Sequence, residues 1–183
     1  MDLGKEVKRF KSKKGNDVVI RYLKKEDLDD LLKFANDLSK EDTFVMLAGE
    51  EITREEEEKY LNEAIEKIRE GNKVQLVVIV NGMFAGNAEI RRNDKRKKHV
   101  GTIAISIAKE FREEGIGTEL LKTLIGEGRN LGLKLLILSC FAINGRALAV
   151  YNKLGFRPVG TIPGIYSYRG KYVDEVLLYL PLV

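Results

Sequence analysis

Tryptophan is missing from this chain of 183 residues, and cysteine, histidine and glutamine each occur once, as Cys140, His99 and Gln75. A single cysteine forbids an intrachain disulfide. It sits in the apolar run LKLLILSC, where a buried thiol is expected rather than a nucleophile. One imidazole, placed in the basic turn NDKRKKH, leaves no partner for a multi-histidine metal centre and argues against a Ser-His or Cys-His hydrolase. No metal site is therefore expected. Prolines number only three, and no repeat, low-complexity tract or Pro/Gly-rich linker divides the chain. No apolar run approaches the roughly 18 residues of a membrane span, and the basic start MDLGKEVKRFKSKKGND lacks the apolar core of a secretory signal. The expectation is a cytoplasmic protein with no membrane partner.

What is present describes one globular domain: 44% hydrophobic and 33% charged residues over 183 positions. The net charge of +4 is small but unevenly placed. Cations cluster in Lys5 to Lys14 and Arg91 to Lys98, and Glu50, Glu51 and Glu55 to Glu58 form an acidic block. Abundant Lys and Glu beside one glutamine match a thermophilic source. Residues 1–17 are taken as a basic N-terminal extension and 18–183 as the folded domain.

Periodicity supplies the elements. Val18 to Leu23 is a β-rich run; KKEDLDDLLKFANDL then repeats Leu28, Leu31, Leu32, Ala35 and Leu38 at helical spacing. Thr53 caps a second helix, with Glu56 completing a capping box, Leu61, Ala64, Ile65 and Ile68 inward, and Gly71 as the stop. VQLVVIV and MFAGNAEIRR read as strands joined by a two-residue Asn81-Gly82 turn, and HVGTIAISIA as the third strand of the meander. After FREEGIGT the spacing turns helical up to Asn130–Gly132, LKLLILSC reads as a buried parallel strand, NGRALAVYNKLGF as a short helix, and RPVGTIPG with KYVDEVLLYLPL as closing strands. The order is β-α-α-β-β-β-α-β-α-β-β, a mixed α/β layer system.

The loop Arg112-Glu113-Glu114-Gly115-Ile116-Gly117 joins a strand to a helix. Its glycines let a ligand approach the backbone, and the unpaired first-turn N–H groups suit a pyrophosphate. It is not a Walker loop, because no Lys-Ser/Thr follows, and not a dinucleotide fingerprint, because the third glycine is absent. The whole stretch IAISIAKEFREEGIGTELLKTLI, however, resembles the coenzyme motif Arg/Gln-x-x-Gly-x-Gly/Ala of the GNAT acyl-CoA N-acyltransferases. Further on, NGRALAVYNKLGF resembles that family's second motif, in the right order and at the right separation.

The resemblance implies the GNAT fold: a central, mixed but mostly antiparallel sheet of about seven strands flanked by about four helices, with strands four and five splayed. It implies an enzyme that moves the acetyl group of acetyl-CoA to an amine by direct attack in a ternary complex. Pantetheine would pair with the backbone of Ile105, Ser106 and Ile107, and the pyrophosphate would rest behind Arg112 on the amides of Glu113, Glu114, Gly115, Ile116, Gly117 and Thr118. Asn144 would bond the pantetheine arm, Tyr151 would protonate the leaving sulfur, and the Ile107 N–H would stabilise the oxyanion. Against these stand plainer roles: Arg112 as a surface cation, Asn144 as a helix cap, Tyr151 as a core aromatic.

Many bacterial protein N-terminal acetyltransferases carry a catalytic glutamate where this chain has Ser139. The base must then lie elsewhere or act through water; Glu89 is the first candidate, followed by Asp174 and Glu175. The family builds its acceptor pocket from segments that correspond to KEDTFVMLAGEE and GIYSYRGKYVDE. The acceptor expected is a small amine, a polyamine steered by the acidic block, or a protein N-terminus, and a homodimer stays open. Two other readings remain: an acetyl-CoA sensor that has lost catalysis, and a basic module that binds nucleic acid or ribosomes.

Overall fold

The computed structural model describes residues 2–182. A single eight-stranded sheet runs in the order β1-β2-β3-β4-β5-β6-β8-β7. Its strands are β1 (Glu6–Lys11), β2 (Asp17–Tyr22), β3 (Lys73–Val80), β4 (Met83–Arg92), β5 (Val100–Ile107), β6 (Leu135–Phe141), β7 (Arg157–Tyr168) and β8 (Lys171–Pro181). The helices are α1 (Leu28–Glu41), α2 (Arg54–Arg69), α3 (Ile116–Asn130) and α4 (Gly145–Lys153). All neighbours are antiparallel except β5 and β6. No helix among the described residues is long and apolar enough to cross a membrane.

The mixed α/β architecture matches the sequence reading, with one difference at its start. Residues 6–11, assigned there to an extension, pair with β2 and become the sheet's edge strand, giving eight strands instead of about seven. The cause is that EVKRFK places only Val7 and Phe10 against the core, while its ladder with β2 supplies the rest of its attachment. Three of the basic residues nearby are neutralised locally, Lys8 by Glu119, Lys11 by Asp17 and Lys14 by Glu114.

The two faces of the sheet carry different cores. Val18, Ile20, Leu76, Val78, Ala88 and Ile90 pack with Leu120, Leu121 and Leu124 of α3, and α4 adds Tyr151 to the same cluster. Opposite, Val77 meets Leu31 of α1 and Leu61, Ala64, Ile65 and Ile68 of α2. Local rules set the joints: Thr53 and Glu56 form the capping box of α2, and Asn81 and Gly82 both take positive φ, 49° and 83°, as a tight right-twisted hairpin turn requires.

Candidate functional site

Parallel pairing of β5 with β6 covers only Val100, Gly101 and Thr102, opposite Leu135, Leu136 and Ile137. Beyond Thr102 β5 stays paired with β4 out to Ile107, while β6 stays paired with β8 out to Phe141. The sheet is therefore split at this point, and one edge of each strand faces a gap. The Ala108 N–H bonds to the Ala85 carbonyl, 2.8 Å away, on the β4 side. Successive N–H groups of a strand alternate sides, so those of Ser106 and Ala104 also face β4, and those of Ile105 and Ile107 face the gap. Of the three residues expected to pair with pantetheine, Ile105 and Ile107 turn their N–H groups to the gap; the N–H of Ser106 is directed to β4, and its side chain opens on the α1/α2 face.

At the end of β5 the chain enters the glycine loop. Gly115 holds φ at 82°, a left-handed conformation that costs a residue with a Cβ about 1–2 kcal/mol, and starts α3. Three consecutive side chains before it reach three different elements. Arg112 does not project toward solvent: Nε donates to the Ile107 carbonyl at 2.8 Å, and its other nitrogens form a paired bridge to Glu41 of α1, one contact being 2.8 Å. Glu113 meets Arg146 of α4 at 3.0 Å. Glu114, 2% exposed, accepts from Ser12 Oγ at 2.7 Å and Asn16 Nδ2 at 2.8 Å, and lies 3.3 Å from the Lys14 ammonium, all in the β1–β2 turn. Those donors, Ser12 foremost, hold its carboxyl below the usual carboxylate range. With the side chains so anchored, what the loop presents is backbone: the first-turn N–H groups of Ile116, Gly117 and Thr118, which a helix leaves unpaired. A Cβ on Gly117 would have only Ile107 Cγ1 near it, at 3.8 Å, so that side of the turn is open. Lys13 lies along Gly115, its Cε 3.4 Å from where a Cβ would be.

Tyr151 of α4 is 7% exposed and packs on Phe156, its centroid 5.9 Å away. Burial raises its hydroxyl above the ordinary tyrosine value, with Cys140 a smaller contributor, so it stays protonated at any physiological pH. Cys140 itself is pushed up to about 11, chiefly by burial, and its thiol donates to the Phe141 carbonyl. It is a buried thiol, as expected. Asn144 caps α4, its Oδ1 accepting from the Ala147 N–H at 3.2 Å, which leaves its amide nitrogen for other use.

On the α1/α2 face, β4 and β5 present Asn87 and Ser106 side by side in register. Above them is a pocket of about 200 Å³ walled by Leu31, Phe34, Leu38 and Leu47, with Glu57 and Tyr60 of α2 at its rim. The acidic block is divided by the helix. Glu56 is used in the cap and Glu55 and Glu58 face solvent, whereas Glu57, 6% exposed, turns inward, where burial lifts its carboxyl above the usual range. Sequence reasoning missed Glu57, although it stands four residues before Leu61 on the same inward stripe.

Glu89, the first candidate base, sits in a network of ion pairs. Its carboxylate is 2.6 Å from the Lys73 ammonium and 3.1 Å from Arg91, and it accepts from the Tyr60 hydroxyl at 2.9 Å. These three contacts tie the carboxylate into the β3–β4 and α2 scaffold. Asp174 and Glu175 are also engaged, by the Gly164 N–H and the Tyr166 hydroxyl. The two segments expected to bound the acceptor do meet. Tyr168 and Arg169 bond to Asp42, and Phe44, Phe141 and Tyr166 form an aromatic wall in which Phe141 stacks on Tyr166 at 3.9 Å. A larger cleft of about 500 Å³ between α1 and the Lys109–Phe111 turn includes none of the glycine-loop residues, nor Tyr151. No group of three metal-ligating side chains occurs among the described residues.

Residues 17–157 match the family model for the acetyltransferase (GNAT) domain. The L-amino acid N-acetyltransferase AaaT of Escherichia coli K12 is 29% identical over 102 residues, 55% of this chain and 63% of that protein, so the match spans less than two thirds of its length. A GNAT-family acetyltransferase of Streptococcus pneumoniae superposes with a TM-score of 0.81 at 31% identity, over 90% of this chain and 99% of that one. The acetyltransferase yncA of Salmonella typhimurium, solved with its cofactor acetyl-CoA, shares the fold with a TM-score of 0.80 at 17% identity, over 91% and 94% of the two chains. With its sheet split between β5 and β6, a glycine turn opening α3 and a model match over most of its length, this chain belongs to the GNAT acetyltransferase family.

Proposed function

We propose that the chain transfers the acetyl group of acetyl-CoA to a primary amine by direct attack within a ternary complex. The observation that carries this reading is the split between β5 and β6, with the glycine turn that opens α3 following β5. The free N–H of Ile105 extends the strand ladder to the amides of a pantetheine arm, and the first turn of α3 takes the pyrophosphate. Asn144 turns its amide nitrogen to the same arm. The Ile107 N–H, held in place because Arg112 fixes the carbonyl of the same residue, meets the oxygen on which negative charge develops. Tyr151 delivers its proton as the carbon–sulfur bond breaks. Its raised pKa does not prevent this, because a thiolate leaving into the same dry surroundings is itself made more basic.

No acyl-enzyme is needed. The only cysteine is a thiol with a pKa near 11, and holding two substrates together already removes a large entropic barrier. Acceptors in view are small amines, polyamines and protein N-termini; the AaaT likeness favours an amine on a compact, amino acid-like skeleton. The test is a panel of amines and N-terminal peptides with acetyl-CoA, following released thiol. Turnover with at least one amine, well above hydrolysis, is expected. Tight acetyl-CoA binding with no amine-dependent thiol release would overturn the reading in favour of a sensor.

A further inference from the structure

We infer that Glu57 is the general base for the acceptor, and that the acceptor carries, next to its amine, an apolar group about the size of one amino-acid side chain. The inference rests on the acetyltransferase reading and names the acceptor side that reading leaves open. Its first support is position. The Glu57 residue is 6% exposed, opens on the same pocket as Ser106, and so lies over the strand whose next N–H, that of Ile107, borders the gap. Its second support is that the carboxylate has no ion-pair or hydrogen-bond partner among the described residues, while Glu89, Asp174 and Glu175 all have theirs. The Glu57 oxygens are not among the buried side-chain atoms left without a partner, so they keep contact with the open space of the pocket, where a ligand can meet them.

The surroundings define the ligand. α1 and the following loop contribute Leu31, Phe34, Leu38 and Leu47, all uncharged, and β4 and β5 contribute Asn87 and Ser106. The titratable groups facing Glu57 are Tyr60 on its own helix and, beyond that hydroxyl, Glu89 with its partner Lys73. About 200 Å³ of mostly apolar space with one anionic group suits a single ammonium beside a hydrocarbon or aromatic substituent. A polyamine would bury further charges against leucine and phenylalanine without partners. In the reaction, Glu57 takes one proton from the ammonium, the freed lone pair forms the carbon–nitrogen bond, and the carbon–sulfur bond breaks. The second nitrogen proton, lost as the amide forms, replaces the one that Tyr151 gives to the sulfur, and the proton on Glu57 leaves to solvent.

The experiment compares leucinamide, phenethylamine and spermidine as acceptors for the wild type, Glu57→Gln and Glu57→Asp, by thiol release and by calorimetry. Glu57→Gln should keep the acetyl-CoA affinity, which certifies fold and donor site, and lose about 10²–10⁴-fold in kcat/KM for leucinamide. The base acts when ionised, so kcat/KM should fall as pH drops through a limb above the ordinary carboxylate range; Glu57→Asp should retain a limb, displaced, and Glu57→Gln should lack it. Glu57→Gln activity within about threefold of wild type, or acetylation of spermidine in preference to both apolar amines, overturns the inference. Failure of the acetyltransferase reading looks different: no amine releases thiol from the wild type. Calorimetry then still decides, because leucinamide binding that requires Glu57 supports the assigned pocket and its absence overturns it.

Discussion

The surfaces proposed here for the coenzyme and for the acceptor are built on opposite principles. Toward the coenzyme, the chain offers backbone: two strand N–H groups at a split in the sheet and the first turn of α3, with the neighbouring side chains drawn away into ion pairs. Toward the acceptor, it offers side chains from α1, α2, β4, β5 and the loop between the helices, meeting in a pocket that no single segment defines. A surface made of backbone tolerates change in every side chain that does not shape the main chain. A surface made of side chains changes its ligand with one substitution. The first arrangement suits a substrate shared across a family, the second a substrate particular to one member.

The contrast can be broken most forcefully at Glu89. If it belongs to the scaffold, Glu89→Gln leaves the Lys73 ammonium, 4% exposed, without its carboxylate, and chemical denaturation should record a loss of about 3 kcal/mol. Turnover per folded molecule should stay within about threefold. A stable Glu89→Gln protein with little activity would return Glu89 to the catalytic group. Next in size is Tyr151→Phe, which should lower kcat by about 10²-fold with little change in KM for acetyl-CoA, the pattern of a group acting only as the bond breaks. Unchanged kcat under chemistry-limited conditions would leave Tyr151 as core packing. The smallest effect sharpens the coenzyme side: Glu114→Ala releases the β1–β2 turn from the glycine loop and should weaken acetyl-CoA binding roughly tenfold by calorimetry, about 1.4 kcal/mol, although its carboxylate is spent on the β1–β2 turn. Unaltered affinity would mean that the loop holds its shape without the clamp.

The same contrast explains what could be read in the sequence. Glycine turns, caps and apolar periods are local, so α2 with its Thr53 cap, the Asn81-Gly82 hairpin and the α3 entry were legible residue by residue. β1 was not, because an edge strand needs few apolar residues and EVKRFK looks like solvated charge. Glu57 was hidden in a run of four glutamates, in which only helical phase separates the one facing inward from those facing out. The partners of Glu89 were hidden for the converse reason: its strand position was visible, but Lys73, sixteen residues earlier, is brought beside it only by the β3–β4 pairing, in which Lys73 lies opposite Arg91.

The clamp between Glu114 and the β1–β2 turn carries a thermodynamic obligation. Whatever free energy the docked hairpin lends to acetyl-CoA binding, bound acetyl-CoA must return to the docking of the hairpin, since coupling between two equilibria is reciprocal. Opening of residues 12–16, and with it the amide exchange and proteolytic exposure of the sheet's first edge, therefore becomes a gauge of coenzyme occupancy. The family match starts at residue 17, so a chain trimmed to that boundary would keep all of the matched segment and lose the turn that clamps Glu114.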